Sequence, residues 1–466
     1  MFILISVTII KFGYSSFEKI SKNEEIIDQQ KKQLSELNQI ISINKETISQ
    51  QKQKLLNSEA IVFKNKETLN QQKQQLSFLN ELYFKEKQQD IFLKNKQEIL
   101  LSNNKTLIKF ELENGFYSAL DGLRPGGYID VHQDKILIMS SRGIISFTKN
   151  LDQNSVFRQV KNNINDFINL DQFKKNIGFS LRDLLIYNEN IYISYSEEHQ
   201  KDCWNTSVLK AKINYEILNF KKLFSSDKCI HSVNNKDKDF GLWQSGGRIS
   251  NFDNEHILLT VGDYGERYLA QDKQSVNGKI LKINIKTSDY KIISMGHRNP
   301  QGLYYNKENN HILSTEHGPD GGDEINLIEV NKLNNNYIYN FGWPIVSEGE
   351  HYCKKRKEKN CEEIYKKYPL YKSHTNYGFI EPIKSFLPSI AISQITKLEK
   401  NSYVVGSMGR ERKNDKSIFF FDLNEENKII NFNQVKLNQR VRDLIFHDNK
   451  LYLLFEDIPS IGIIAL

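Results

Sequence analysis

The sequence predicts an all-β head, a six-bladed β-propeller, preceded by an N-terminal α-helical coiled-coil stalk. An apolar residue recurs at every seventh position up to residue 83, and beyond residue 106 a two-strand unit recurs six times. Composition agrees: 466 residues include 22 Tyr and 27 Phe but only 8 Pro, a balance that favours strands over disorder. That length exceeds one ordinary domain and suits a large β domain with an appendage.

Residues 2–10, FILISVTII, form an apolar run with no basic stretch before it and no evident small-residue cleavage site after it. The run is too short to span a bilayer, which takes about 20 residues. Residues 1–19 therefore read as the end of a membrane anchor or as a degenerate export signal. Both readings place the chain in a periplasm or cell envelope, and the first attaches it to a membrane.

From residue 20 to 105 the chain reads as the stalk. Its seam is Ile20, Ile27, Leu34, Ile41, Ile48, Leu55, Val62, Leu69, Leu76 and Tyr83, the spacing of a coiled coil. A 21-residue repeat lies over the heptads: NEEIIDQQ at 23, NKETISQQ at 44 and NKETLNQQ at 65. With the seam as position a, most d positions are polar: Asn23, Gln30, Leu37, Asn44, Gln51, Ser58, Asn65, Gln72 and Leu79. Polar layers cost stability and specify register. A parallel homo-oligomer is the expectation, against a lone or disordered helix, and a helix over 20–83 would reach roughly 95 Å.

Residues 106–466 carry the six units: IDVHQDKILIM from Ile129, LLIYNENIYISY from Leu184, ISNFDNEHILLTV from Ile249, LYYNKENNHILST from Leu303, ITKLEKNSYVV from Ile395 and LIFHDNKLYLLF from Leu444. Each is an apolar strand, a polar turn and a second apolar strand. A pair of β-sandwiches also shows evenly spaced strands. It does not account for the polar loops SSRG at 140, SEEH at 196, GDYG at 262, EHGP at 316 and GSMGR at 406, which a radial array gathers at one end of its central channel.

The net charge of +7 is diffuse, with 16 Lys against 12 acids in the first 105 residues. No basic stripe with interleaved aromatics argues for nucleic acid. The four cysteines fall as Cys203 with Cys229 and Cys353 with Cys361. Neither pair has zinc-site or redox-motif spacing, so two disulfides in an oxidising compartment is the reading, with four thiols as the alternative.

Over nearly all of 106–466 the chain resembles the glucose/sorbosone dehydrogenase family. The resemblance rests on QSGGRI at 244, TVGD at 260, NGKILKIN at 277, GHRNPQGL at 296, EHGPDGGDEINLI at 316, FGWP at 341, PSIA at 388 and RVRDL at 440. It implies a six-bladed propeller that binds pyrroloquinoline quinone (PQQ) and calcium and oxidises an aldose at its anomeric carbon. A quinone bearing three carboxylates calls for guanidinium forks and a hard Lewis acid. By resemblance, Arg298 and Asn299 contact the quinone, Arg440 and Arg442 clamp its carboxylates, and the carbonyls of Gly318 and Pro319 coordinate calcium.

Two departures bear on turnover. The family's histidine base falls at Gln244, whose amide cannot take a proton near neutral pH. The family's quinone-contacting lysine falls at Gly409, with Arg410 beside it as a substitute cation. The remaining candidate bases are Asp263, the residue that normally orients the missing histidine, and His317. His297 reads as structural. The function expected is PQQ- and calcium-dependent sugar oxidation; the alternatives are an inactive propeller binding a sugar or protein on an oligomeric stalk, and an adhesin-like fibre with a sugar-binding head.

Overall fold

The computed structural model describes residues 2–113, 116, 126–152, 154–168, 172, 180–333, 337–409 and 415–466. The chain divides into two compact units, 1–72 and 73–466. A single helix runs Phe2–Glu86, so the apolar run at 2–10 is helical and continuous with the heptads. Seam side chains from Ile27 to Tyr83 are all exposed. The helix stops short of residue 105: Ile91–Leu100 is a strand, because the heptad pattern ends at Tyr83. No described helix is long and apolar enough to cross a membrane.

The second unit is mostly β. Its main strands form six antiparallel groups of four, here called blades 1 to 6, with a short fifth strand added to blades 2 and 3, and each of the six sequence units is the inner hairpin of one of them. The inner strands are Gly127–His132, Leu181–Tyr187, Gly246–Asp253, Pro300–Asn306, Ile392–Lys397 and Val441–His447. Each touches the next, and the last touches the first, so they close a ring. The ring is sealed by a strand from far upstream: Thr106–Leu112 pairs with Ser460–Ala465 as the fourth strand of blade 6. Ile91–Leu100 then bridges Thr106–Leu112 to Val156–Gln159, joining blades 6 and 1 into one nine-stranded sheet.

The second strand of each blade has an apolar centre because both its faces are covered there. In blade 5, Tyr403 and Val405 pack toward blade 4 while Val404 packs toward blade 6. In blade 3, Ile257 and Leu259 face blade 2 and Leu258 faces blade 4. Strands buried on both sides read as near-continuous hydrophobic runs. One loop expectation changes: SEEH at 196 lies inside the strand Asn190–Gln200, which pairs with Cys203–Lys212 through that stretch.

Aspartates staple the inner strands. The carboxylate of Asp443 accepts the Ile129 N–H at 2.9 Å, that of Asp130 the Ile186 N–H at 2.5 Å, and that of Asp183 the Ile249 N–H at 2.7 Å. Each residue reaches from one blade to the next, supplying a partner to an inner-strand N–H that the sheet leaves unpaired. Arg248 ties the staples together, with Nη1 at 2.8 Å from both Asp183 and Asp443. Both disulfides are present, Cys203–Cys229 and Cys353–Cys361.

Candidate functional site

In each blade the inner strand begins and the second strand ends at the same end of the ring, because the two are antiparallel. The loops at that end carry the residues singled out in the sequence, and hydrogen bonds link them into one network across blades 3 to 6.

On blade 3, Gln244 ends the short 3-10 turn Leu242–Gln244 and is partly exposed. Its carbonyl accepts the Tyr264 N–H at 3.1 Å. A β-carbon at Gly262 would lie 1.9 Å from that carbonyl oxygen, so the close approach of the two loops requires glycine. Asp263, next along, is fully buried. Its Oδ1 accepts the Gly265 N–H and its Oδ2 the Trp343 Nε1–H, both at 2.8 Å. Burial raises its pKa to about 6, against the opposing pull of Arg298, the Gly265 N–H, Arg267 and Trp343. With both oxygens engaged, Asp263 anchors FGWP to this loop.

On blade 4, Arg298 is almost fully buried, lying over the rings of Trp343 and Tyr352. Its Nη1 donates to the carbonyls of His317 at 3.1 Å and Gly318 at 2.8 Å. The Gly318 oxygen, one of the two expected calcium ligands, therefore already faces a cation. Gly318 and Pro319 are buried. Asn299 turns its Oδ1 to the Gly246 N–H and to Gln301, at 3.2 and 2.9 Å. His317 donates Nε2–H to the Ile392 carbonyl at 2.7 Å, which leaves Nδ1 with the lone pair. Burial lowers its pKa, against the opposing pull of Asp323, so its neutral form prevails at neutral pH. His297 is fully buried, with Nε2 at 2.7 Å from Ser294 Oγ and Nδ1 at 2.6 Å from Glu316.

On blade 6, Arg440 and Arg442 flank one residue that the sequence reading missed. Glu456 is completely buried and receives Arg440 Nε at 2.8 Å and Arg442 Nη2 at 2.5 Å. Burial works against its ionisation, but Arg442 and Arg440 outweigh that and hold its carboxyl below the ordinary range. Arg440 also donates to the carbonyls of Met408 and Gly409, and Arg442 to Gln301. The pair thus offers one net positive charge rather than two. Arg410 lies outside the described residues. Among the described residues, no cluster of three or more His, Cys, Asp or Glu could hold a metal.

The signal for Glu456 was in the internal repeat. RDLLIYNENIYISYS at 182 aligns with RDLIFHDNKLYLLFE at 442, which sets Ser196 against Glu456. Arg182 Nε donates to Ser196 Oγ at 3.1 Å in blade 2, the same contact that Arg442 makes to Glu456 in blade 6. Trp343 left a weaker trace: FGWP was visible, but nothing in the sequence tied its indole to Asp263.

A ring of six blades, with arginines and buried acids brought together at one end, defines a propeller. The profile of the Glucose / Sorbosone dehydrogenase family matches residues 181–460, and the chain belongs to that family. It is 28% identical over 181 residues to the aldose sugar dehydrogenase YliI of Escherichia coli (strain K12), covering 35% of this chain and 44% of that protein. It is 31% identical over 131 residues to quinoprotein glucose dehydrogenase B of Acinetobacter calcoaceticus, covering 22% and 26%. The chain spans half or less of the length of the curated relatives it matches. A solved structure described as a glucose dehydrogenase superposes with TM-score 0.56 at 19% identity, covering 74% of this chain and 96% of that one; at that identity it bears on fold alone.

Proposed function

We propose that the head is a quinoprotein sugar dehydrogenase that binds pyrroloquinoline quinone at the end of the ring where Arg298, Arg440 and Arg442 meet and oxidises an aldose at its anomeric carbon. The observation that carries this is the arginine pair at the start of the blade 6 inner strand: two residues apart, both held on Glu456, side chains mostly but not wholly buried, and neutralised only once by that carboxylate. A surplus guanidinium charge held rigidly suits carboxylate recognition. When bound, the quinone supplies a two-electron acceptor for hydride.

The calcium part of the reading fits less well. Gly318 offers a carbonyl, but its nearest partner is Arg298 Nη1 at 2.8 Å, so a divalent cation there would sit beside a guanidinium.

Among the chain's own groups, His317 is the better candidate base. Its Nε2 is committed as a donor to Ile392, its ring is neutral at pH 7, and its Nδ1 lone pair is available to take a proton. Asp263 has both oxygens occupied, and Gln244 is left to donate or accept a hydrogen bond from a sugar hydroxyl. The alternative, a binding module without turnover, is favoured by that same filling of Asp263 and by the amide at Gln244. The two disulfides support a periplasmic or envelope location, and a sugar is the small-molecule partner this reading implies.

The test is titration of the purified protein with pyrroloquinoline quinone, with and without calcium, followed by dye reduction over an aldose panel. Expected outcomes are quinone binding that falls at least about tenfold in Arg440→Ala, as loss of a charge-assisted bond implies, and dye reduction that His317→Gln abolishes while binding persists. Gln244→His should raise turnover if the rest of the site is competent. Binding with no reduction of any aldose would leave the binding module; no quinone binding would overturn both readings.

A further inference from the structure

We propose that residues 27–76 self-associate with a second copy of this chain in parallel and in register, and that the 21-residue repeat sets that register. The helix leaves its seam from Ile27 to Tyr83 uncovered by its own chain: Leu34, Leu55 and Leu76 are exposed to 60%, 61% and 60%. The seam's period of seven is not that of a straight helix, on which it drifts by about 20° per heptad; it stays on one face only when helices supercoil around each other. A single straight helix therefore gains nothing from a strict seven-residue spacing.

The division of residues between the two core positions fixes the direction. Position a is apolar at every layer from Ile27 to Leu76, whereas position d is polar at all but two layers, Leu37 and Leu79. In a parallel pair a meets a and d meets d, so leucines bury against leucines and amides face amides. In an antiparallel pair a meets d, and nearly every apolar residue would be set against Asn, Gln or Ser. Burying an apolar side chain against an unpaired amide forfeits both the apolar contact and the hydrogen bond, so the parallel arrangement wins.

The amides then select the register. Asn23, Asn44 and Asn65, with Gln30, Gln51 and Gln72, repeat every 21 residues. A slip of one heptad would face Asn with Gln, then Gln with Leu or Ser, leaving amide groups unmatched. A slip of three heptads restores the match but gives up three of the layers. Flanking charge agrees: Lys54 at g and Glu59 at the following e make an attractive pair between parallel copies, and no g–e′ pair from Ile26 to Asn80 joins like charges.

The chain's four cysteines are all disulfide-bonded, so one added cysteine on the full chain reports a single position. Leu34→Cys, Leu55→Cys and Leu76→Cys lie 21 residues apart on the same seam. Expected results are an oligomer by sedimentation at micromolar concentration and oxidative dimers of Leu34→Cys and Leu76→Cys separately. Refolded mixtures should give no 34–76 and no 34–55 heterodisulfide. A 34–76 cross-link would overturn the parallel arrangement, a 34–55 cross-link the register, and a monomer of unchanged helicity the self-association itself.

Discussion

Asp130 shows how far a buried group at the centre of the ring departs from its behaviour in water. Burial drives its pKa up to about 8, assisted by Asp183 and Asp443, while the Ile186 and Val131 N–H groups pull the other way. In the unfolded chain it titrates near 3.9. Between those values the native state holds a proton that the unfolded state lacks. Its contribution to stability is therefore complete below about pH 4 and is lost as pH rises through 8, at up to about 1.4 kcal/mol per pH unit. Asp130→Asn keeps a neutral acceptor for Ile186 and should cost about 1 kcal/mol at pH 5 for the weakened bond to Val131. By pH 8 that deficit should shrink or reverse, as read from urea unfolding at the two pH values; a constant difference would show that Asp130 is ionised throughout. None of this was visible in the sequence, where IDV looked like any apolar strand with one polar residue. The role of the carboxyl group depends on Ile186, 56 residues away, and only the ring brings the two together.

At the scale of elements, the inner hairpins were legible and the outer strands were not, for one physical reason. Second strands such as His256–Val261 and Lys450–Phe455 are covered on both faces and so read as nearly unbroken apolar runs, while outer strands such as Ile429–Lys436 are half exposed and carry mixed sequence. The site divided in the same way. Arg298, Arg440 and Arg442 stood out in motifs, but Glu456, which neutralises part of their charge, lay just past a hairpin whose pairing had to be known first. Arg248 is the joint on which the inner strands converge: besides Asp183 and Asp443 it donates to the carbonyls of Gln301 and Arg442, at 2.6 and 2.9 Å. Arg248→Met would fill the space but leave two buried carboxylates facing each other. Breaking a buried pair in this way typically costs about 3–5 kcal/mol. The cost should be smaller at pH 5, where the carboxylates are protonated more readily, than at pH 8, and comparison of urea midpoints decides. An equal loss at both pH values would mean that packing, not charge, is what Arg248 provides.

At the scale of the whole molecule, closure of the ring depends on two upstream strands, of which the sequence placed Ile91–Leu100 in the stalk and Thr106–Leu112 in the head. Ile91–Leu100 and Thr106–Leu112 insert Ile91, Leu93, Leu107, Phe110 and Leu112 into the cores of blades 6 and 1, each 9% exposed or less. At about 1.5–3 kcal/mol for each fully buried large apolar side chain, these five account for roughly 8–15 kcal/mol, an upper estimate. That is as large as the entire net stability of an ordinary domain, about 5–15 kcal/mol. Removal of the helix up to Gln72 takes away only the other compact unit. A chain beginning at Lys73 should therefore keep the same cooperative thermal transition, within about 2 °C. A chain beginning at Glu113 leaves blade 6 with three strands and exposes Ile461 and Ile464, both fully buried in the intact ring. It should lose the cooperative transition or melt at least about 10 °C lower, since roughly 1 kcal/mol moves the midpoint of a domain this large by about 2–4 °C or less. Supplying residues 87–112 as a separate peptide should restore part of the transition by re-forming the pairing with Ser460–Ala465. If the chain from Glu113 melts like the chain from Lys73, the ring holds without its upstream strand, and the closure energy must lie in the contacts among the six inner strands instead.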